Sequence, residues 1–181
     1  VGNLLKAEFS PGQRGKQLLK GLLRMLAEYE NSALNVSETS IPTREQIERL
    51  EAAILEMPQL EIKTTHYSAE GLYAREIFIP AGTLLTGKVH KCEHLNIVSK
   101  GKIVVWTEDG MKEVCAPFTM VSRPGTKRVG LAVEDTVWTT IHATDIRFEA
   151  EPGEEVLLKL EQQLIEPCVP AIEGKETLCL G

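Results

Sequence analysis

Between Leu60 and His142 the chain is cut into short runs rich in β-branched and aromatic residues, punctuated by Gly, Pro or Asp-Gly. The runs are LEIKTTHY, YAREIFIP, TLLTGKVH, HLNIV, KIVVWTEDGMKEVCA, FTMVS, KRVGLAV and TVWTTIH. About eight strands in about 85 residues is the rate of a small antiparallel barrel or jelly roll. Asp109-Gly110 lies between two such runs and marks a hairpin. A chain of 181 residues that is 43% hydrophobic and 25% charged can bury one sizeable core and carry a small appendage.

Helical patterns flank this β region. In SPGQRGKQLLKGLLRMLAEYEN, Leu18, Leu19, Leu22, Leu23, Met25, Leu26 and Tyr29 recur at helical spacing, and Ser10-Pro11 supplies a start signal. Gly15 and Gly21 each weaken that helix by about 1 kcal/mol relative to Ala, so it needs a packing partner. A second helix is expected from Thr43, where Thr43 and Gln46 form a capping box. Ile47, Leu50, Ile54 and Met57 make its apolar stripe, and Pro58 ends it. Behind the β region, PGEEVLLKLEQQLI predicts a last helix, and EPCVPAIEGKETLCLG reads as an extended tail. The expected divisions are a helical appendage over residues 1–58, the β domain over 59–148, and a helix and tail over 149–181.

Composition narrows the partners. With 20 basic and 26 acidic residues the net charge is -6, and no basic stripe argues for nucleic-acid binding. No apolar run approaches the roughly 20 residues of a membrane span, and the first residues lack a signal pattern, so a soluble intracellular protein is expected. Cys92, Cys115, Cys168 and Cys179 are scattered without a CxxC pair, which predicts buried or free thiols. Neither a Gly-rich phosphate loop nor a GxSxG elbow is present.

The chemistry concentrates in KVHKCEHLNIVSKGKIVVW, from Lys88 to Trp106. If this stretch is extended, His90, Cys92, His94 and Asn96 share one face. Two imidazoles on one face form half a metal site. A third ligand is expected from His142, because Trp138, Thr140 and His142 alternate onto one face of the last strand. Cys92 and Glu93 are poorer candidates, and His66 reads as a structural residue.

The run from Gly82 through His90 and His94 to Gly101, followed by Pro124-Gly125, resembles the two motifs of the cupin superfamily. The first motif of that family has a glycine, a His-x-His pair, a glutamate and a closing glycine; the second has a Pro-x-Gly turn and a further histidine. With the closing glycine on Gly101, His94 stands at the glutamate position, His90 at the second histidine and Lys88 at the first. Arg128 stands near the last histidine. The stretches TEDGMKEVCAPFTMVSRPGTKR and EDTVWTTIHATD are also similar to small cupin-like proteins of tailed bacteriophages. The resemblance implies a mainly β, cupin-like jelly-roll barrel, here with two N-terminal helices, one C-terminal helix and an extended C-terminal tail. It also implies one divalent transition metal, Zn, Mn, Fe or Ni, at His90 and His94, with His142 from strand alternation as the third ligand; the alternative is a barrel that has lost its metal and keeps a polar network or an anion pocket. Lys88 and Arg128 are cations where the family has ligands, so they are expected to favour an anion.

Three functions follow as expectations. The first is a phage-type structural or interaction module, a virion component or accessory factor in virion or host cytoplasm, rather than an enzyme. The second is a small metal-dependent cupin enzyme, an oxygenase, isomerase or lyase acting on a small anionic metabolite. The third is a non-catalytic ligand- or host-factor-binding module. A homo-oligomer is expected through barrel edges, helices and tail, with virion proteins as further partners and neither nucleic acid nor membrane.

Overall fold

The computed structural model of the chain describes residues 4–6, 43–55, 59–107 and 110–167. The helix expected over residues 10–31 and the tail from residue 168 lie outside them. The elements run β1 (Leu4–Lys6), α1 (Arg44–Leu55), β2 (Thr64–Ala69), β3 (Leu72–Ile79), β4 (Thr83–Thr86) and β5 (His94–Lys100). They continue with β6 (Lys102–Thr107), β7 (Gly110–Cys115), β8 (Phe118–Ser122), β9 (Val129–Ala132), β10 (Thr136–Ala143) and α2 (Glu154–Leu164).

The strands form two five-stranded antiparallel sheets, ordered β1-β4-β9-β6-β7 and β2-β3-β10-β5-β8. From β3 onward the chain crosses between sheets at almost every connection, leaving only β6 and β7 as successive neighbours in one sheet. This is the expected mainly β jelly roll. Thr107 pairs with Gly110 at the end of the β6–β7 ladder, which agrees with the expected hairpin.

Alternation along the strands builds the core. Ile79, Val98 and Trp138 from one sheet meet Ile103, Val105, Val114 and Ala132 from the other, with Ile62 closing one end. Gly101 turns β5 into β6 at a φ of +83°, and a Cβ there would lie 2.1 Å from the Asp135 carbonyl oxygen, so only glycine fits.

On the outer face of the first sheet, Leu84, Val104, Trp106, Val129 and Leu131 are covered by Ile47, Leu50 and Ile54 of α1. Each such Ile or Leu side chain, fully buried, contributes about 1.5–3 kcal/mol. The predicted capping box is present: the Thr43 N–H donates to Gln46 Oε1 at 2.9 Å and the Gln46 N–H to Thr43 Oγ1 at 3.3 Å. Met57 and Pro58 lie outside the described residues. Glu51 anchors the helix to the sheet by accepting from Lys127 Nζ at 2.7 Å and Thr86 Oγ1 at 2.9 Å. The last helix packs Leu160 and Leu164 on Tyr73, flanked by Ile146, Phe148, Val156 and Ile165. No helix among the described residues is long and apolar enough to cross a membrane.

One expectation is corrected. The stretch from Lys88 to Asn96 is not a continuous strand: β4 ends at Thr86, His90 makes only an isolated bridge with Ile165, and β5 begins at His94. The backbone between is held by other partners. The Lys91 N–H donates to the Leu164 carbonyl, the Glu166 N–H to the Val89 carbonyl, and the Gly125 N–H to the His90 carbonyl, each at 2.9 Å. The resulting bend at Lys91 and Cys92 leaves Cys92 exposed instead of on the histidine face.

Candidate metal centre

His94 opens β5, and His142 is the penultimate residue of β10. These strands are neighbours, and Ile141 pairs with Leu95, which brings the two histidines side by side at the end of the ladder. His90 reaches them from the connector between β4 and β5, held there by α2 and the Pro124-Gly125 turn. Ring centroids are 4.2 Å apart for His90 and His94, 4.8 Å for His90 and His142, and 4.7 Å for His94 and His142. One nitrogen from each ring lies within 4.8 Å of the others, and all three residues are buried. The three histidines expected as ligands are thus brought together.

His90 Nδ1, His94 Nε2 and His142 Nδ1 are buried and have no hydrogen-bond partner. A buried polar atom left unpaired costs about 1–3 kcal/mol, and three at one point is a large concentration of such cost. A metal ion held by these three nitrogens would remove it. The other nitrogen of His94 lies 3.0 Å from the Cys92 carbonyl oxygen. A carbonyl only accepts, so Nδ1 carries the proton and Nε2 presents a lone pair to its neighbours.

The protonation states fit the same chemistry. Burial drives the His90 pKa down to about 2, helped by His94, His142, Arg75 and Arg128. Burial likewise lowers His142 to about 4, with His94 and Arg75 acting in the same direction. His94 is lowered by burial, opposed by its bond to the Cys92 carbonyl, and pushed further by Arg128 and Arg75. All three are neutral near pH 7, the form that ligates a metal. The residues therefore fit a transition metal.

Around the histidines lies a buried polar network centred on Asn96. Its Oδ1 accepts from Trp138 Nε1 at 2.9 Å and Thr140 Oγ1 at 3.1 Å, and its Nδ2 donates to Ser122 Oγ. Ser122 Oγ also accepts from Arg128 Nη2. Arg128 is partly buried, and burial lowers its pKa. Lys88, the other expected anion ligand, is engaged elsewhere: its Nζ forms an ion pair with Glu161 of α2, with the lysine side chain 9% exposed.

The structure adds Arg75, which sequence reasoning missed. It stands on β3 between Tyr73 and Ile77 on the inward face, opposite Thr140 of β10. Burial lowers its pKa, although the residue retains some contact with solvent. The signal was a charged residue on the apolar face of YAREIFI. His66 stays outside the cluster, with Nδ1 2.8 Å from the Tyr73 hydroxyl, and Glu93 is exposed. Cys92 and Cys115 are free and exposed, and Cys168 and Cys179 lie outside the described residues.

No protein-family model matches the sequence, and no curated protein is significantly similar to it. Among solved structures, KdgF from Halomonas sp. is similar at 16% identity and a TM-score of 0.40, over 44% of this chain and 76% of that one. An acetylacetone dioxygenase from Acinetobacter johnsonii is similar at 15% identity and a TM-score of 0.42, over 54% of this chain and 74% of that one. An RmlC-like cupin family protein from Methanocaldococcus jannaschii, with a double-stranded β-helix fold, shows 12% identity and a TM-score of 0.40, over 47% and 82% of the two chains.

Proposed function

We propose that this chain is a metal-dependent cupin enzyme whose one divalent transition metal is held by His90, His94 and His142. The observation that carries the reading is the convergence of three buried, neutral histidines, with one nitrogen of each within 4.8 Å of the others, and each with a buried nitrogen that has no hydrogen-bond partner. A metal bound by three histidines keeps positions free for substrate and supplies Lewis-acid or redox chemistry there. The protein's own groups have separate tasks. The Cys92 carbonyl holds His94 in the tautomer that presents Nε2. The Asn96 network locks Trp138, Thr140 and Ser122, so the wall beside the histidines is rigid before anything binds. The apolar layer of Val98, Ile103, Val105 and Trp138 closes the barrel on one side of the site and keeps water out.

Metal content decides between this reading and the phage-type structural or ligand-binding module expected from sequence. Purified protein is loaded in turn with Zn, Mn, Fe and Ni, desalted, and measured by inductively coupled plasma mass spectrometry. One equivalent of at least one metal is expected, falling below a tenth of an equivalent in His90→Ala, His94→Ala and His142→Ala. If no metal binds stoichiometrically, the enzyme reading is lost and a non-catalytic scaffold or host-factor-binding barrel takes its place.

A further inference from the structure

We propose that Arg75 and Arg128 form a subsite for the carboxylate of a small organic acid beside the three histidines. The proposal deepens the metal-enzyme reading by naming its substrate class, but the subsite itself does not depend on metal.

The placement comes from register. Arg75 and Tyr73 share the inward face of β3, and Tyr73 pairs with His142 across the β3–β10 ladder, so Arg75 stands one inward row from a histidine of the cluster. Arg128 immediately precedes β9 in the opposite sheet and donates to Ser122, the residue of β8 that pairs with His94. The two guanidinium groups therefore approach the histidines from opposite sheets.

What these cations lack is a carboxylate in contact: Glu161, whose charge favours the cationic form of Arg75 from a distance, is itself ion-paired with Lys88. Lys88 takes Glu161, and Lys127 takes Glu51 on the far side of the sheet. Among the described residues no carboxylate forms an ion pair with Arg75 or Arg128, although burial disfavours the charge of both. Taking an unpaired guanidinium out of water is costly, and a metal beside it adds further positive charge. An anion relieves both. The planar fork of each guanidinium matches the two oxygens of a carboxylate, which accept parallel N–H bonds. Ser122 contributes a third donor, because its oxygen already accepts from Asn96 and Arg128 and its own O–H is left to give.

Isothermal titration of the metal-free protein with malonate, its neutral isostere malonamide and inorganic phosphate tests the subsite, with zinc binding measured separately. Malonate is expected to bind at least tenfold more tightly than malonamide and more tightly than phosphate. Arg75→Gln and Arg128→Gln are each expected to weaken malonate tenfold or more while still taking up one zinc per chain. Equal affinity for malonate and malonamide, preference for phosphate, or unchanged malonate binding in both variants would overturn the proposal. If a variant does not fold, the three-ligand comparison on the intact chain decides alone. Arginine-dependent malonate binding without uptake of zinc, manganese, iron or nickel would keep the subsite and remove the metal reading; metal uptake without malonate discrimination would do the reverse.

Discussion

At the scale of single residues, the burial of neutral histidines sets a pH dependence. The pKa of His142 is lowered to about 4, below the ordinary 6.5 that the unfolded chain regains. Between those values the unfolded state binds the extra proton, so stability rises with pH there and falls on acidification. For the metal-free protein, the stability present above about pH 6.5 is therefore lost as pH falls towards 4, by an amount on the order of 3 kcal/mol for this group. Urea denaturation at a series of pH values checks this, and His142→Gln is expected to make the profile less steep over that window, with His90 and His94 still contributing to it. Asn96 makes a second prediction. Replacing it with Ala leaves the Trp138 and Thr140 donors without their acceptor in a buried place, which should cost about 2–4 kcal/mol in the same measurement. An unchanged denaturation midpoint would mean that water replaces the amide.

Elements carry the next level of organisation. The turn between β5 and β6 depends on Gly101, where a methyl group would collide with the Asp135 carbonyl and the backbone has positive φ. Gly101→Ala is expected to destabilise by about 2 kcal/mol or more, read as a lower thermal midpoint, because neither backbone can yield without opening the sheet pairing. The docking of α1 is a separate contribution. Leu50 is 1% exposed in the cluster over the outer face of the first sheet, so Leu50→Ala should cost about 2–5 kcal/mol. That loss should leave metal content unchanged, because α1 covers the sheet face opposite the site. Lost metal uptake in a folded Leu50→Ala protein would show instead that the helix supports the histidines through the sheet.

For the whole molecule, a site built from three separate segments ties ligand binding to folding. His90, His94 and His142 converge only when the β4–β5 connector, β5 and β10 are all in place, so on the proposed reading a metal would bind the folded state far more tightly than the unfolded one. At a free metal concentration a hundredfold above the dissociation constant, the gain should be about 2.7 kcal/mol. Differential scanning calorimetry with and without metal reads it, and chelator should reverse it. The expected self-association through edges, helices and tail remains a proposal of its own. Light scattering on the intact chain is expected to give a mass above that of the 20.0 kDa monomer, and a strictly monomeric mass would remove it.

Much of this was present in the sequence because it is local. Alternation and turn residues specified the strands, Thr43 and Gln46 the start of α1, and the spacing of Trp138, Thr140 and His142 one inward face, since each depends on neighbours a few residues apart. Only the tertiary structure decided what lies far apart in the chain. The bend at Lys91 and Cys92 arises from carbonyls and amides of α2 and the Pro124-Gly125 turn, which no local period encodes, and it moves Cys92 out of the site. Lys88 finds Glu161, 73 residues away, and ceases to be an available cation. Arg75 takes its place beside the histidines because sheet pairing sets it one row from His142. Strand periodicity chooses the face on which a side chain points, but pairing between distant strands chooses its neighbours, and the chemistry of the site resides in those neighbours.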